Sequence, residues 1–222
     1  MTPLYHDLSG ETVLVFGGGA VGSRKAIGFA DEAHVIVVSP AFADRLLAAV
    51  GRDGSYAEID LIRARPDSGS VWEWIGRVSP ALVVAATDER AVNAAAEAAA
   101  LEAGTLVNRT DVSGARDAGS VVVPATVEDD PVSVAISTGG ASPALSKALR
   151  QRIEAEIDGA GAMAELSGEL RQELSDRGID PETRREAIRH VVRSEGVWKG
   201  LQKARSNGRQ EAYTVIEEVI EQ

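Results

Sequence analysis

Gly17, Gly19 and Gly22 stand at the spacing G-x-G-x-x-G in the stretch Thr12-Val13-Leu14-Val15-Phe16-Gly17-Gly18-Gly19-Ala20-Val21-Gly22. Each glycine has a job in holding a pyrophosphate. The first permits a tight turn, the second lets the backbone approach the phosphates, and the third lets a helix pack closely on a strand. A helix beginning near Ala20 would aim its unpaired N–H groups and positive dipole end at an anion there. The hexapeptide alone is a weak signal. Its context strengthens it, because four apolar strand formers precede it and a helical pattern follows.

Four further stretches carry groups able to do chemistry. Ser39-Pro40-Ala41 follows the apolar run His34–Val38. Ser39 can hydrogen-bond a ribose, but no carboxylate stands there to select NAD, and no adjacent arginine stands ready for a 2′-phosphate. The rule therefore does not choose between NAD and NADP. Thr87-Asp88 follows a second apolar run, where ligands of open parallel sheets lie. Asp88 contacts the cofactor, caps the next helix, or does both. Asn108-Arg109-Thr110-Asp111 follows a third run. Asp111 is a candidate general base beside a nicotinamide or an orienter of substrate; a loop aspartate also serves simply as a solvated turn former. Ser137-Thr138-Gly139-Gly140-Ala141-Ser142-Pro143 places paired glycines before a capped helix, and so offers backbone donors to an anion. Arg109, Lys147 and Arg150 can add positive charge; the alternative is a plain strand-to-helix turn with Ser142 as cap. His6, His34 and His190 are scattered, so no metal site is expected.

The elements that must position these groups follow from the pattern. Expected strands cover Thr12–Gly17, His34–Ser39 (ended by Pro40), Ser55–Ala64, Ala81–Thr87 and Leu106–Asn108. Expected helices cover Ala20–Ala30, Phe42–Val50, Ser70–Val78 and the alanine-rich Asp88–Ala103. Strands alternating with helices from a glycine turn argue a Rossmann-type doubly wound parallel sheet. The pattern then changes. Ser120–Val127 and Val132–Ser137 are β-rich runs joined by Glu128-Asp129-Asp130-Pro131, with no room for a helix, so a hairpin or arm is expected. From Ser142 onward the chain reads as helical, with Ser142-Pro143 and Asp180-Pro181 as starts and Gly178, Gly196 and Gly208 as ends. The expected division is 1–112, a nucleotide domain; 113–143, a β-rich region; and 144–222, a helical domain.

The chain has 222 residues, no cysteine and a formal net charge of −11. Disulfides and thiolate metal sites are excluded, which suits a cytoplasmic enzyme. The charge disfavours nucleic-acid and anionic-membrane binding. The longest apolar run, Ala81 to Ala86, is too short to span a bilayer, and Met1-Thr2-Pro3 opens no signal peptide. Lys25, Lys147, Lys199 and Lys203 are the only lysines. A surface so acidic and poor in lysine fits a high-salt cytoplasm, where screening removes self-repulsion.

Five blocks together resemble the precorrin-2 dehydrogenase family of sirohaem biosynthesis, which includes the N-terminal part of sirohaem synthase. They are Pro3-Leu4 with Leu8; Gly17 through Lys25; Ala85-Ala86-Thr87-Asp88; Asn108 through Asp111; and Val134 through Leu145. Coverage is about residues 3–155. The resemblance implies a homodimer joined through the β-rich region, and oxidation of the tetrapyrrole precorrin-2 to sirohydrochlorin with NAD⁺. Some members also insert ferrous iron. The family's essential aspartate falls on Asp111. Its cofactor contacts fall on Ala20, Val21, Pro40, Ala41 and the neighbourhood of Thr87-Asp88. A serine phosphorylated in some members falls on Thr138, a departure from the family pattern. The loop from Asp111 to Pro124 is longer than usual, with Gly114-Ala115-Arg116-Asp117 inserted. The alternative function is non-catalytic: an NAD-sensing or tetrapyrrole-carrying module.

Overall fold

A computed structural model describes residues 2–50, 58–112 and 119–221. The chain divides into two compact units, Met1–Val123 and Pro124–Gln222.

In the first unit, β1 (Thr12–Gly18), β2 (His34–Phe42), β3 (Ile59–Arg63), β4 (Leu82–Ala85) and β5 (Leu106–Arg109) form a parallel sheet in the order β3-β2-β1-β4-β5. The helices are α1 (Ala20–Phe29), α2 (Asp44–Val50), α3 (Ser70–Val78) and α4 (Arg90–Glu102). Side chains alternate across a strand, so β1 feeds two cores. Val13 and Val15 join Val35, Val37, Ala26 and Leu46 on one face; Leu14 and Phe16 join Val83, Val107, Ile75 and Ala96 on the other. Both faces are apolar because both carry helices, which is why these strands read as unbroken hydrophobic runs. The alanines of α4 bring its backbone close to β4 and β5; Ala96, Ala99 and Ala100 are all buried.

The strand order reverses between β1 and β4, where a crevice opens beyond the carboxyl ends of the strands. Three expected boundaries change here. Pro40 does not end β2. The strand continues to Phe42 through an irregularity in register, where Phe16 pairs with Val38 but Gly18 pairs with Phe42. A bulge tolerates a residue with no N–H to donate. The helix expected from Asp88 begins at Arg90, so Asp88 is not its cap; Glu89 holds that position without a side-chain hydrogen bond. Residues 51–57, at the start of the strand expected from Ser55, lie outside the described residues, and β3 itself is Ile59–Arg63.

The expected run Ser120–Val127 also splits. Ser120 bridges to Val107 beside β5, whereas the hairpin strand β6 (Ala125–Asp129) starts only after Pro124. In the second unit β6 pairs antiparallel with β7 (Val132–Ile136). Helices α5 (Pro143–Glu156), α6 (Ala160–Asp176), α7 (Pro181–Arg193), α8 (Glu195–Lys203) and α9 (Arg205–Ile220) follow. Leu166, Leu170, Val191, Val197 and Ile216 make their core. Gly178 follows a helix end in the left-handed region, as expected. Gly196 and Gly208 instead lie inside α8 and α9. A Cβ on Gly208 would strike Leu201, so close helix packing requires that glycine. Ser194 ends α7 and caps α8, accepting from the Val197 N–H.

Candidate cofactor cleft and its acidic neighbour

The glycine turn is shaped by contacts that leave no room for side chains. Gly17 has φ +110°, and a Cβ there would collide with the Ala86 carbonyl at the end of β4. A Cβ on Gly22 would overlap the Gly17 carbonyl oxygen, so α1 closes directly onto the turn. A Cβ on Gly18 would lie 2.6 Å from the Ala41 carbonyl. Gly19 differs: a Cβ there meets nothing within 4 Å. Three glycines are thus demanded by the protein's own packing, while the fourth faces open space. That is the shape a backbone cradle for a pyrophosphate requires.

Buried Ser23 holds the cradle from behind. Its hydroxyl lies 2.9 Å from the Gly18 carbonyl and 2.7 Å from the Gly19 carbonyl. Gly19 is the N-cap of α1, which has no side-chain cap and no acidic residue in its first turn. No carboxylate of that turn competes with an anion there.

A cleft of about 270 Å³ opens over this turn, lined by residues of the turn, Ser39-Pro40-Ala41, Arg65-Pro66 and Ala86 through Glu89. Of the expected cofactor residues, Gly17, Gly19, Ser39, Pro40, Ala41, Thr87 and Asp88 therefore share one cleft. Ala20, Val21 and Gly22 form the adjoining first turn of α1. Ser39 is buried, and its hydroxyl donates to the Ala41 carbonyl at 2.7 Å.

The Thr87 loop has an organiser that the sequence reading missed. Asn93, fully buried on α4, accepts from the Thr87 N–H at 3.0 Å and the Thr87 hydroxyl at 2.7 Å, and donates to the Thr87 carbonyl at 2.9 Å. A lone asparagine in an alanine-rich helix was the available signal. Beyond it lies Asp111. Arg109 donates to Asp111 through Nε (2.8 Å, to Oδ1) and Nη2 (3.1 Å, to Oδ2), and through Nη1 to Glu97 Oε2 at 3.0 Å. The three side chains are 14%, 18% and 17% exposed for Arg109, Asp111 and Glu97. The Arg109 guanidinium holds the Asp111 carboxyl below the usual carboxylate range against the opposing effect of burial, and Asn93 adds a smaller lowering. Arg109, expected to meet substrate, is thus committed to two carboxylates of its own chain. Buried Asn108 donates to the Val121 carbonyl at 2.8 Å.

The remaining expected substrate residues, Ser137, Thr138, Gly139, Gly140 and Lys147, belong to the second unit. Thr138 is the centre of a local network there. Its hydroxyl oxygen lies 3.2 Å from the Ser142 carbonyl and 3.0 Å from the Ser146 hydroxyl, and accepts from the Ser142 N–H at 3.3 Å. Gly139 and Gly140 take φ +63° and +83°, and Ser142 caps α5 by accepting from the Leu145 N–H. Lys147 is exposed. The expected insertion, residues 114–117, lies outside the described residues. Among the described residues there is no group of three metal-ligating side chains, and no helix is long and apolar enough to cross a membrane.

A parallel sheet with order β3-β2-β1-β4-β5, a glycine turn at the reversal and an uncapped helix start define a nucleotide-binding domain of the Rossmann class. A family model for putative NAD(P)-binding matches residues 4–125, and one for the central part of a sirohaem biosynthesis protein matches residues 129–156. A precorrin-2 dehydrogenase of Methanosarcina barkeri is 35% identical over 218 residues, covering 96% of this chain and 92% of that protein. A siroheme synthase of Methylococcus capsulatus is 36% identical over 184 residues, covering 82% of this chain but only 36% of that longer protein. The solved structure of SirC, a precorrin-2 dehydrogenase, shares the fold, with a TM-score of 0.71 at 22% identity over 98% of this chain and 100% of that one. The chain belongs to the precorrin-2 dehydrogenase family.

Proposed function

We propose that this protein oxidises precorrin-2 to sirohydrochlorin with NAD⁺. The observation that carries the proposal is the chain-long similarity to the Methanosarcina barkeri precorrin-2 dehydrogenase, supported by the open glycine cradle of this chain. Bound NAD⁺ supplies the hydride acceptor. The chain's own residues bind and orient. Gly17 through Gly19 and the start of α1 receive the pyrophosphate, Ser39-Pro40-Ala41 flank the adenosine, and Thr87-Asp88 lie towards the reacting end.

Asp111 is the proposed catalytic residue. Its depressed pKa makes it a weak proton acceptor at neutral pH, so we assign it first the role of a fixed negative charge that orients the macrocycle and favours its loss of hydride to NAD⁺, the accompanying proton passing to solvent. Arg109 positions Asp111. The substrate's carboxylates meet Ser137 through Gly140 and Lys147.

The proposed working form is a homodimer built through residues 113–143, flanked by domains 1–112 and 144–222. A two-stranded sheet is marginal alone, and pairing with the β6–β7 hairpin of a second copy would extend it. Light scattering reads this directly, and a monomeric mass discards it.

The test of the activity is anaerobic incubation with precorrin-2 and NAD⁺. Growth of NADH absorbance with formation of sirohydrochlorin is expected, with Asp111→Asn losing most turnover while still binding NAD⁺. Binding of NAD⁺ without NADH formation would instead identify a sensing or carrying module. Incubation with sirohydrochlorin and ferrous iron, without NAD⁺, reads iron insertion separately.

A further inference from the structure

The adenosine side of the cleft carries an arginine that is remote in sequence. β3 lies beside β2, and the register places Arg63 opposite Ser39. Arg63 does not enter the cleft. Its Nη1 donates to the Pro40 carbonyl at 3.1 Å, and its guanidinium stacks over the Phe42 ring at 5.5 Å. It therefore braces the Ser39-Pro40-Ala41 bulge from outside. Arg65, two residues on, does line the cleft together with that bulge. Its partner is Glu89, 3.6 Å away, in a pair whose side chains are 75% and 60% exposed. An ion pair so solvated and so long is weak and easily exchanged.

We propose that Arg65 is a seat for a phosphate on the 2′-oxygen of the adenosine ribose, so that the cleft accepts NADP⁺ as well as NAD⁺. The inference rests on the dinucleotide reading of the cleft given above. Three observations meet in it. Ser39, at the bulge near the carboxyl end of β2, stands where an acidic residue would hold the free ribose hydroxyls and repel a phosphate. The bulge beside it is held by one guanidinium, and a second lines the same cleft. Of the cleft's own carboxylates, Asp88 and Glu89, which follow β4, Glu89 reaches across to Arg65 at 3.6 Å, so a phosphate there takes the place of that contact. The Arg65–Glu89 contact is long, and a phosphate dianion offers the guanidinium two oxygens in its place.

Two nucleotides that differ only by the phosphate test this: adenosine 2′,5′-bisphosphate and adenosine 5′-monophosphate, titrated calorimetrically into the intact protein. The bisphosphate is expected to bind about tenfold tighter or better, with a preference that weakens as salt rises. Arg65→Ala is expected to bring the ratio of the two affinities close to one, and Glu89→Gln to increase it; thermal unfolding checks that both variants are folded. Equal affinities in the wild type, or a ratio unchanged in Arg65→Ala, overturn the phosphate seat and leave the NAD⁺ reading standing. Failure of both nucleotides and of NAD⁺ to bind overturns the dinucleotide reading and the seat with it.

Discussion

Arg109 grips Asp111 with two parallel hydrogen bonds, at 2.8 and 3.1 Å, from only two residues away on the same chain. The fork geometry matches guanidinium to carboxylate, and the near-burial of both side chains limits screening. The carboxyl group proposed above to act in catalysis is thereby held in its ionised form. Glu97 on α4 shares the same guanidinium, so Arg109 neutralises two carboxylates at once.

Replacing Arg109 by Gln is therefore expected to act through pH. In the wild type the folded pKa of Asp111 is depressed, so its stabilising contribution is present above its unfolded value of about 3.9 and is lost as pH falls through the lower folded value. Without the guanidinium, that acid window of extra stability disappears. The acid limb of the kcat/KM profile is expected to move to higher pH. The cost in stability is about 3 kcal/mol or more, because two nearly buried carboxylates lose their counter-charge. Unfolding curves from about pH 2 to 8 measure the first effect and rate profiles over the same range the second; an unmoved acid limb would separate Arg109 from Asp111 in function.

The glycines divide by what a methyl group would meet. Gly22→Ala is expected to destabilise the fold by about 2 kcal/mol or more, since its Cβ would overlap a backbone carbonyl that cannot swing aside. Gly19→Ala is expected to change stability by only about 0.5 kcal/mol, since its Cβ meets no protein atom and its φ of −74° is ordinary for alanine. It should nonetheless weaken NAD⁺ binding about tenfold or more by filling the approach to the pyrophosphate. Thermal unfolding and NAD⁺ titration of the two variants distinguish the roles.

Asn93→Ala should cost about 1–3 kcal/mol, because it leaves the buried side of the Thr87 loop without three hydrogen bonds. NAD⁺ affinity should fall with it, since Thr87 lines the cleft. Asn93→Asp keeps the acceptor oxygen but loses the donation to the Thr87 carbonyl, and a carboxylate is introduced into a buried site. It is expected to be the worse substitution in a denaturant titration.

The net charge of −11 predicts a response to salt. Self-repulsion is screened within a few ångströms at molar ionic strength, so the unfolding midpoint should rise between low and molar potassium chloride. The ladder of Arg205 and Arg209 on Glu165, Glu169 and Glu173 works in the opposite direction, but its members are a third to a half exposed and contribute little each. Equal midpoints at both salt concentrations would discard the high-salt expectation.

The amino-acid sequence by itself determined the doubly wound sheet. Unbroken apolar runs such as Val13 to Phe16 and Leu82 to Ala85 require helices on both faces, and Gly17 and Gly22 admit no side chain where strand, turn and helix meet. These are local properties, visible within a dozen residues. It also placed Thr87-Asp88 and Asp111 at strand ends, where a parallel sheet gathers ligands. Only the tertiary structure decided which groups act together. Arg63 comes to Ser39 because β3 pairs with β2, and Arg65 reaches Glu89 across 24 residues of chain. Asn93 meets the Thr87 loop and Glu97 meets Arg109 because α4 folds back over β4 and β5. Hydrophobic periodicity says which face of α4 is buried. It does not say which polar group on a neighbouring strand will meet that face, and in this protein those meetings set the charge on Asp111 and the partners of Arg65.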